Sequence, residues 1–162
     1  MENIIDVAQY IYEEYKRQSG EIIDEMKLHK LLYFVQREAL AITGEELFSE
    51  NFEGWKYGPV CTNVRSLYTD EGMYSDNIKD ISSEAAYISK NIIMQYGVIE
   101  SWKLSEISHN EISWRNARKG FTEDSKGNNV LCIEDIKIDA EKVRPYDSIY
   151  DMYYDEFDDM GA

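Results

Sequence analysis

Apolar residues recur at helical spacing along most of the chain. Between Asn3 and Gln18, Ile4, Ala8, Ile11, Tyr12 and Tyr15 share one face, with Asn3 placed to cap the start and Gly20 to end the segment. From Met26 to Thr43, Leu28, Leu31, Leu32, Val35, Ala39 and Ile42 trace a single stripe between an Asp24 N-cap and a C-terminal Gly44. The short connection from Gly20 to Asp24 predicts that these two helices pack antiparallel. The stretch Phe52–Pro59 then changes period, alternating Phe52, Gly54 and Lys56 against Glu53, Trp55 and Tyr57. It reads as a short extended piece that turns at Gly58-Pro59, with Pro59 as the first residue of a helix carrying Val60, Val64, Leu67 and Tyr68 and ending near Gly72.

Further along, residues 73–81 are polar and turn-like. A helix opens at Ser82 or Ser83, buries Ala85, Ile88, Ile92 and Tyr96, and closes at Gly97. A shorter one follows Ser101 or Trp102 with Leu104 and Ile107 inward, and Ser113–Lys119 reads as one or two more turns. Ser125–Asn129 is a strong turn, and Val130–Ile133 is a candidate strand that could pair with the piece near Trp55. Pro145 interrupts any single long helix toward the end. The expectation is a mainly α, compact single-domain helical fold over residues 1–154 with a small extended or two-stranded β patch. An acidic, frayed tail is expected over 155–162.

Composition narrows the class of function. The chain has 162 residues, long enough for one self-sufficient core, and 13% aromatic content, which a disordered acidic chain would lack. Seventeen Lys and Arg against 32 Asp and Glu give a net charge of -15. That balance argues against sequence-independent nucleic-acid binding, which needs a basic surface to displace counterions. It fits simple solubility, a basic protein partner, or carboxylates mimicking DNA phosphates. Cys61 and Cys132 match no metal or redox spacing and read as reduced cytosolic thiols. No basic leader precedes an apolar core at the N-terminus, and no apolar run reaches the roughly 18 residues of a membrane helix. A cytoplasmic location follows as the expectation.

Catalytic chemistry has little to stand on. His29 and His109 are the only histidines. No His-Glu-x-x-His spacing, phosphate loop or dinucleotide fingerprint is present, and no cofactor, metal ligand or catalytic residue is assigned. His29 lies beside the apolar stripe of its helix, and His109 is placed to cap the helix before it. Lys27, His29 and Lys30 form one small basic spot; Arg115, Arg118 and Lys119 form another. The aromatics say more. Trp55 and Tyr57 flank Lys56 at the turn, Trp114 lies near a helix end, and Tyr146, Tyr150, Tyr153 and Tyr154 crowd among acids. Tyr and Trp bury large areas with little entropy loss. Trp55 and Trp114 therefore fit two roles, core anchors or the lining of a partner groove.

Three blocks carry a family resemblance. Met26-Lys27-Leu28-His29-Lys30-Leu31-Leu32-Tyr33-Phe34-Val35-Gln36 resembles the M-K-L-x-K-L-L-Y-[FY]-x-Q signature of the SocA-like antitoxin, or Panacea domain, family. Phe52-Glu53-Gly54-Trp55-Lys56-Tyr57-Gly58-Pro59-Val60 resembles its second hallmark. Leu104–Glu111, followed by Trp114 and Ala117, resembles the third. The blocks keep the family's order, and the likeness extends over about residues 3 to 150. Val35 stands where a small residue is common, Ser108 where Thr is, and Ser113 where a proline commonly precedes the tryptophan.

The resemblance implies a bacterial or phage-encoded antitoxin that neutralises a cognate protein toxin by direct contact. At least one member also acts as an adaptor, delivering its toxin to an ATP-dependent protease. The acidic surface suits a basic toxin. A phage or mobile-element accessory protein without a toxin, including a DNA mimic, is the alternative. Some members carry extra DNA-binding segments, for which this chain has no spare length. Tyr33, Gln36, Trp55, Lys56, Tyr57 and His109 are expected to line a common groove, with Lys27, Lys30 and Trp114 completing the signature as partner-binding or scaffold residues.

Overall fold

The computed structural model describes residues 1–143. The expected boundary at 154, the acidic tail, Pro145 and the tyrosine cluster lie outside the described residues. Among the described residues there are seven helices and two two-stranded hairpins, and no helix long and apolar enough to cross a membrane.

The first two helices form as the pattern predicts. In α1 (Ile4–Ser19), the Asn3 side chain accepts from the Ile5 N–H at 2.8 Å, and Gly20 closes the helix at φ 76°. In α2 (Glu25–Thr43), Asp24 accepts from the Lys27 N–H at 2.9 Å and Gly44 ends it. Burial of α2 differs from the stripe. Every residue from Lys27 to Leu40 is buried, whereas Ile42, placed on the stripe, is 48% exposed. The helix is not amphipathic on a surface; it is the central rod. Helices α1, α4 (Ser83–Tyr96), α5 (Ser101–Ser108) and α7 (Ile133–Glu141) pack around it, and α1 also packs on α4. Ser82 caps α4, and Ala85, Ile88 and Ile92 face inward as expected.

The segment after Phe52 departs from expectation. The turn is at Lys56-Tyr57, not Gly58-Pro59, and Pro59 sits in a strand. Strands β1 (Glu53–Trp55) and β2 (Gly58–Val60) pair antiparallel, Gly54 opposite Pro59. Gly54 turns its N–H to the Asn129 carbonyl and its own carbonyl to Arg118, so the proline's missing N–H deprives it of nothing. Gly58 permits the reversal at φ 118°, where a Cβ would meet the Lys30 Cε at 2.5 Å. The predicted helix from Pro59 shrinks to one turn, α3 (Thr62–Arg65). Tyr68 and Gly72 belong instead to a second hairpin, β3 (Tyr68–Thr69) with β4 (Gly72–Met73). There Gly72 adopts φ 106° against the Tyr12 hydroxyl.

Beyond α5, α6 (Ile112–Ala117) and α7 pack on each other. The expected strand at 130–133 reduces to a single bridge between Val130 and Glu53, and Ile133 already begins α7. The suggested pairing with the Trp55 region is present in that bridge.

A buried polar hub joins α2 to the α6–α7 pair. The Tyr33 hydroxyl donates to Asp139 Oδ2 at 2.9 Å and lies 3.0 Å from Ser113 Oγ. The Asp139 carboxylate also accepts the first two N–H groups of α6, from Ile112 at 2.7 Å and Ser113 at 3.0 Å. Asp139 thus supplies from another helix the N-terminal cap that Glu111 does not provide. Arg37 pairs with Glu111 beside this hub. Burial outweighs the arginine and holds the Glu111 carboxyl up at about 6. Removing the hydroxyl with Tyr33→Phe takes a donor from a buried carboxylate, at a cost of about 2 kcal/mol. A denaturant titration is expected to show a lower midpoint with an unchanged m-value; an unchanged midpoint would contradict the hub's role.

Candidate functional site

Strands of three residues do not hold a hairpin by themselves. Here the hairpin backbone is gripped from outside by side chains. Arg118 Nη1 donates to the Gly54 carbonyl at 3.2 Å, Trp114 Nε1 to Trp55 at 2.8 Å, Ser105 Oγ to Tyr57 at 2.6 Å and Lys30 Nζ to Pro59 at 3.1 Å. On its other edge the Lys56 N–H bonds to the Lys126 carbonyl at 2.9 Å. The 118–127 loop that provides this edge is itself organised by Arg118, whose guanidinium also donates to the carbonyls of Thr122, Ser125 and Lys126. Elements from all three sequence blocks thus converge on one short hairpin. Its tip stays free: Tyr57 is 55% exposed.

Two clefts flank that tip. The first, of about 430 Å³, lies between the hairpin, the start of α2 and the loop after α6. Met26, Trp55, Tyr57 and Val60 give it apolar walls, while Lys56, Arg65 and Lys126 outnumber Glu25 and Asp124 among its charges. Arg65 and Lys126 both stand over the Trp55 ring, at 5.1 and 4.2 Å from its centroid. Glu25 is already engaged, by Arg65 at 2.7 Å and His29 at 3.0 Å. The second cleft, of about 420 Å³, runs from Lys56 and Tyr57 to His109, Trp114 and Phe121. His109 stacks on Trp114 at 4.1 Å, nearly parallel. Its backbone N–H, rather than its ring, meets the last carbonyls of α5.

The predicted site residues separate into two groups. Lys27, Lys30, Tyr33 and Gln36 are buried in the interior of the fold, although Lys30 also contributes to the wall of the first cleft. Lys27 Nζ donates to the Gly97 carbonyl at 2.7 Å. Gln36 bridges the Phe48 carbonyl and the Leu47 N–H, both at 2.8 Å. Trp55, Lys56, Tyr57, His109 and Trp114 do lie together, around the hairpin tip. The single groove expected of Tyr33, Gln36 and the rest is therefore not formed; Tyr33 and Gln36 face the core. The basic spot of Lys27, His29 and Lys30 is likewise no surface patch. Arg118 is occupied by loop carbonyls and Arg115 donates to the His109 carbonyl, so two members of that second cluster are engaged within the chain while Lys119 stays exposed. Ser105, Arg65 and Lys126 went unpredicted. Ser105 sat within the third block without a sign of its role, and the two cations reach Trp55 only through tertiary folding.

Burial pushes the Cys61 thiol up, away from the thiolate, and lowers the His29 and His109 imidazoles. No group of three or more His, Cys, Asp or Glu side chains is arranged to hold a metal among the described residues.

The profile of the family described as "Antitoxin SocA-like, Panacea domain" matches residues 28–115, more than half of the chain. Searches among curated proteins and among solved structures found no match.

Lys30 carries a measurable consequence. It is 1% exposed, and burial lowers its ammonium from an ordinary 10.5 to about 7. Between those values the unfolded chain holds a proton that the folded chain has lost. Stability from this group is therefore lowest below pH 7 and rises from pH 7 toward 10.5. The slope is at most about 1.4 kcal/mol per pH unit. In Lys30→Met that rise is expected to vanish from unfolding free energies measured across the window, and a variant with the same slope as the parent would refute the assignment.

Proposed function

The chain belongs to the SocA-like antitoxin, Panacea-domain family, and from that membership we propose that it neutralises a cognate protein toxin by direct binding through the hairpin face. One observation carries the choice of face. Side chains from α2, α5 and the α6 end fix the backbone of residues 54–59 by its carbonyls, while the Tyr57 side chain at the tip is left to solvent. A loop fixed before binding loses little entropy on contact, which favours affinity. An exposed tyrosine between two clefts has the character of a binding anchor. The family supports a protein partner and a non-enzymatic role. Inhibition by contact, rather than handing the toxin to a protease, needs only the surface described.

Co-expression with the product of the adjacent gene tests this reading, scored by growth rescue and co-purification. Tyr57→Ala is expected to weaken toxin binding by about tenfold with an unchanged Tm. Trp114→Phe removes a donor to the hairpin and is expected to lower Tm as well. Full affinity in Tyr57→Ala would move the contact away from this face, and failure of the parent protein to rescue would remove the antitoxin reading.

A further inference from the structure

The first cleft has the wrong charge for the chain that carries it. The protein has a net charge of -15, so its surface favours basic partners. A separate cleft near the N-terminus shows that character, lined by Glu2, Asp6, Asp76 and Asp80 with Lys79. Beside the hairpin the balance reverses. Asp124 is held by Lys56 at 3.5 Å and Glu25 by Arg65, whereas Lys126 is exposed and has no carboxylate at ion-pair distance among the described residues. Its ammonium rests on the face of Trp55 instead. Lys56 likewise stands 5.2 Å from the centre of the Tyr57 ring.

From this arrangement we infer that the cleft receives a short acidic segment of the toxin, one that carries an aromatic side chain. The inference rests on the antitoxin reading and names the chemistry of its contact. The aromatic ring enters between Met26 and Val60 and leaves water for apolar surface. Flanking carboxylates meet Lys126, which has no carboxylate of its own at ion-pair distance among the described residues, and the open side of Arg65. A carboxylate is the fitting counter-charge because the local acids are already engaged. The segment must be short, because an extended acidic surface would meet the repulsion of the rest of this chain. Interactions at the rim are screened by salt over about 8 Å at physiological ionic strength, so affinity should fall as salt rises. The expected basic toxin is thus refined: whatever its overall charge, its contact with this cleft is acidic.

The test uses the full-length, isotope-labelled protein and three synthetic peptides. One places Tyr and Phe among Asp and Glu, the second replaces the acids with Lys, and the third replaces the aromatics with Ala. The first is expected to shift the Trp55 indole and Lys126 resonances; the other two, and Lys126→Glu with the first peptide, are expected to bind about tenfold more weakly. Lys126→Arg should retain binding. Equal binding of the Lys peptide, or shifts confined to other surfaces, would overturn the inference. In peptide-free protein, changes at Trp55 when Asp151, Asp155 and Asp158 become Asn would assign the cleft to the chain's own acidic segment. Changes on dilution would assign it to a second copy. Either result also overturns the inference. Growth rescue undiminished in Lys126→Glu would sink it while leaving the antitoxin reading intact; absent rescue by the parent protein would remove the antitoxin reading and the inference with it.

Discussion

A helix buried on every side must find a partner for each polar group it carries, because an unpaired amine or carboxylate in the interior costs several times what a satisfied one contributes. Helix α2 is under that constraint, and the rest of the domain is arranged around its solution. Its polar side chains reach outward to the backbone and side chains of other elements: Lys27 to the end of α4, Lys30 to β2, Gln36 to the 47–48 segment, and Tyr33 to α7. Each bond ties a piece of irregular chain to the central rod. The apolar stripe drives collapse, but these struts decide where the connecting segments lie. Lys30 shows what the arrangement demands, since burial brings its ammonium down to about 7 to place one donor beneath Pro59.

The hairpin is the main beneficiary. Its carbonyls at 54, 55, 57 and 59 are taken by side chains from outside the hairpin, which replaces the missing cooperativity of a larger sheet with tertiary bonds. Close packing accompanies the grip. A Cβ on Gly54 would lie 2.9 Å from that of Ala117, and one on Gly58 would strike Lys30 and Ser108. Two glycines therefore let the hairpin sit directly on the helices, and the residues between them are pushed outward. Rigidity at the base and exposure at the tip have the same cause.

The sequence made the helices legible because caps and apolar spacing are local signals. Asn3, Asp24 and Ser82 cap as read, and the glycines at 20 and 44 end their helices. The hairpin was harder. Gly58-Pro59 looks like a turn by local chemistry, yet the strand pairing and the lysine beneath Pro59 outweigh that preference, and no local pattern encodes either. The fully buried state of α2 was hidden for a similar reason. Its charged residues mark a solvent face by pattern, and only the distant carbonyls they meet make them internal. The aromatic residues of the tip were legible as a group, whereas Arg65 and Lys126 were not, being brought to Trp55 from 10 and 71 positions further along the chain.

The two kinds of residue answer to different physical demands. Exchanging Lys30, Ser105, Trp114 or Arg118 frees a buried or half-buried carbonyl and loosens the hairpin, so folding itself restrains those positions. Tyr57, Lys56 and Lys126 lie at the surface, where substitution typically changes stability by no more than about 0.5 kcal/mol. The charge and shape presented beside Trp55 can thus be altered while the frame that presents them stays fixed. Folding restrains the frame of the hairpin and leaves the surface it presents free to vary, because the two draw on different residues.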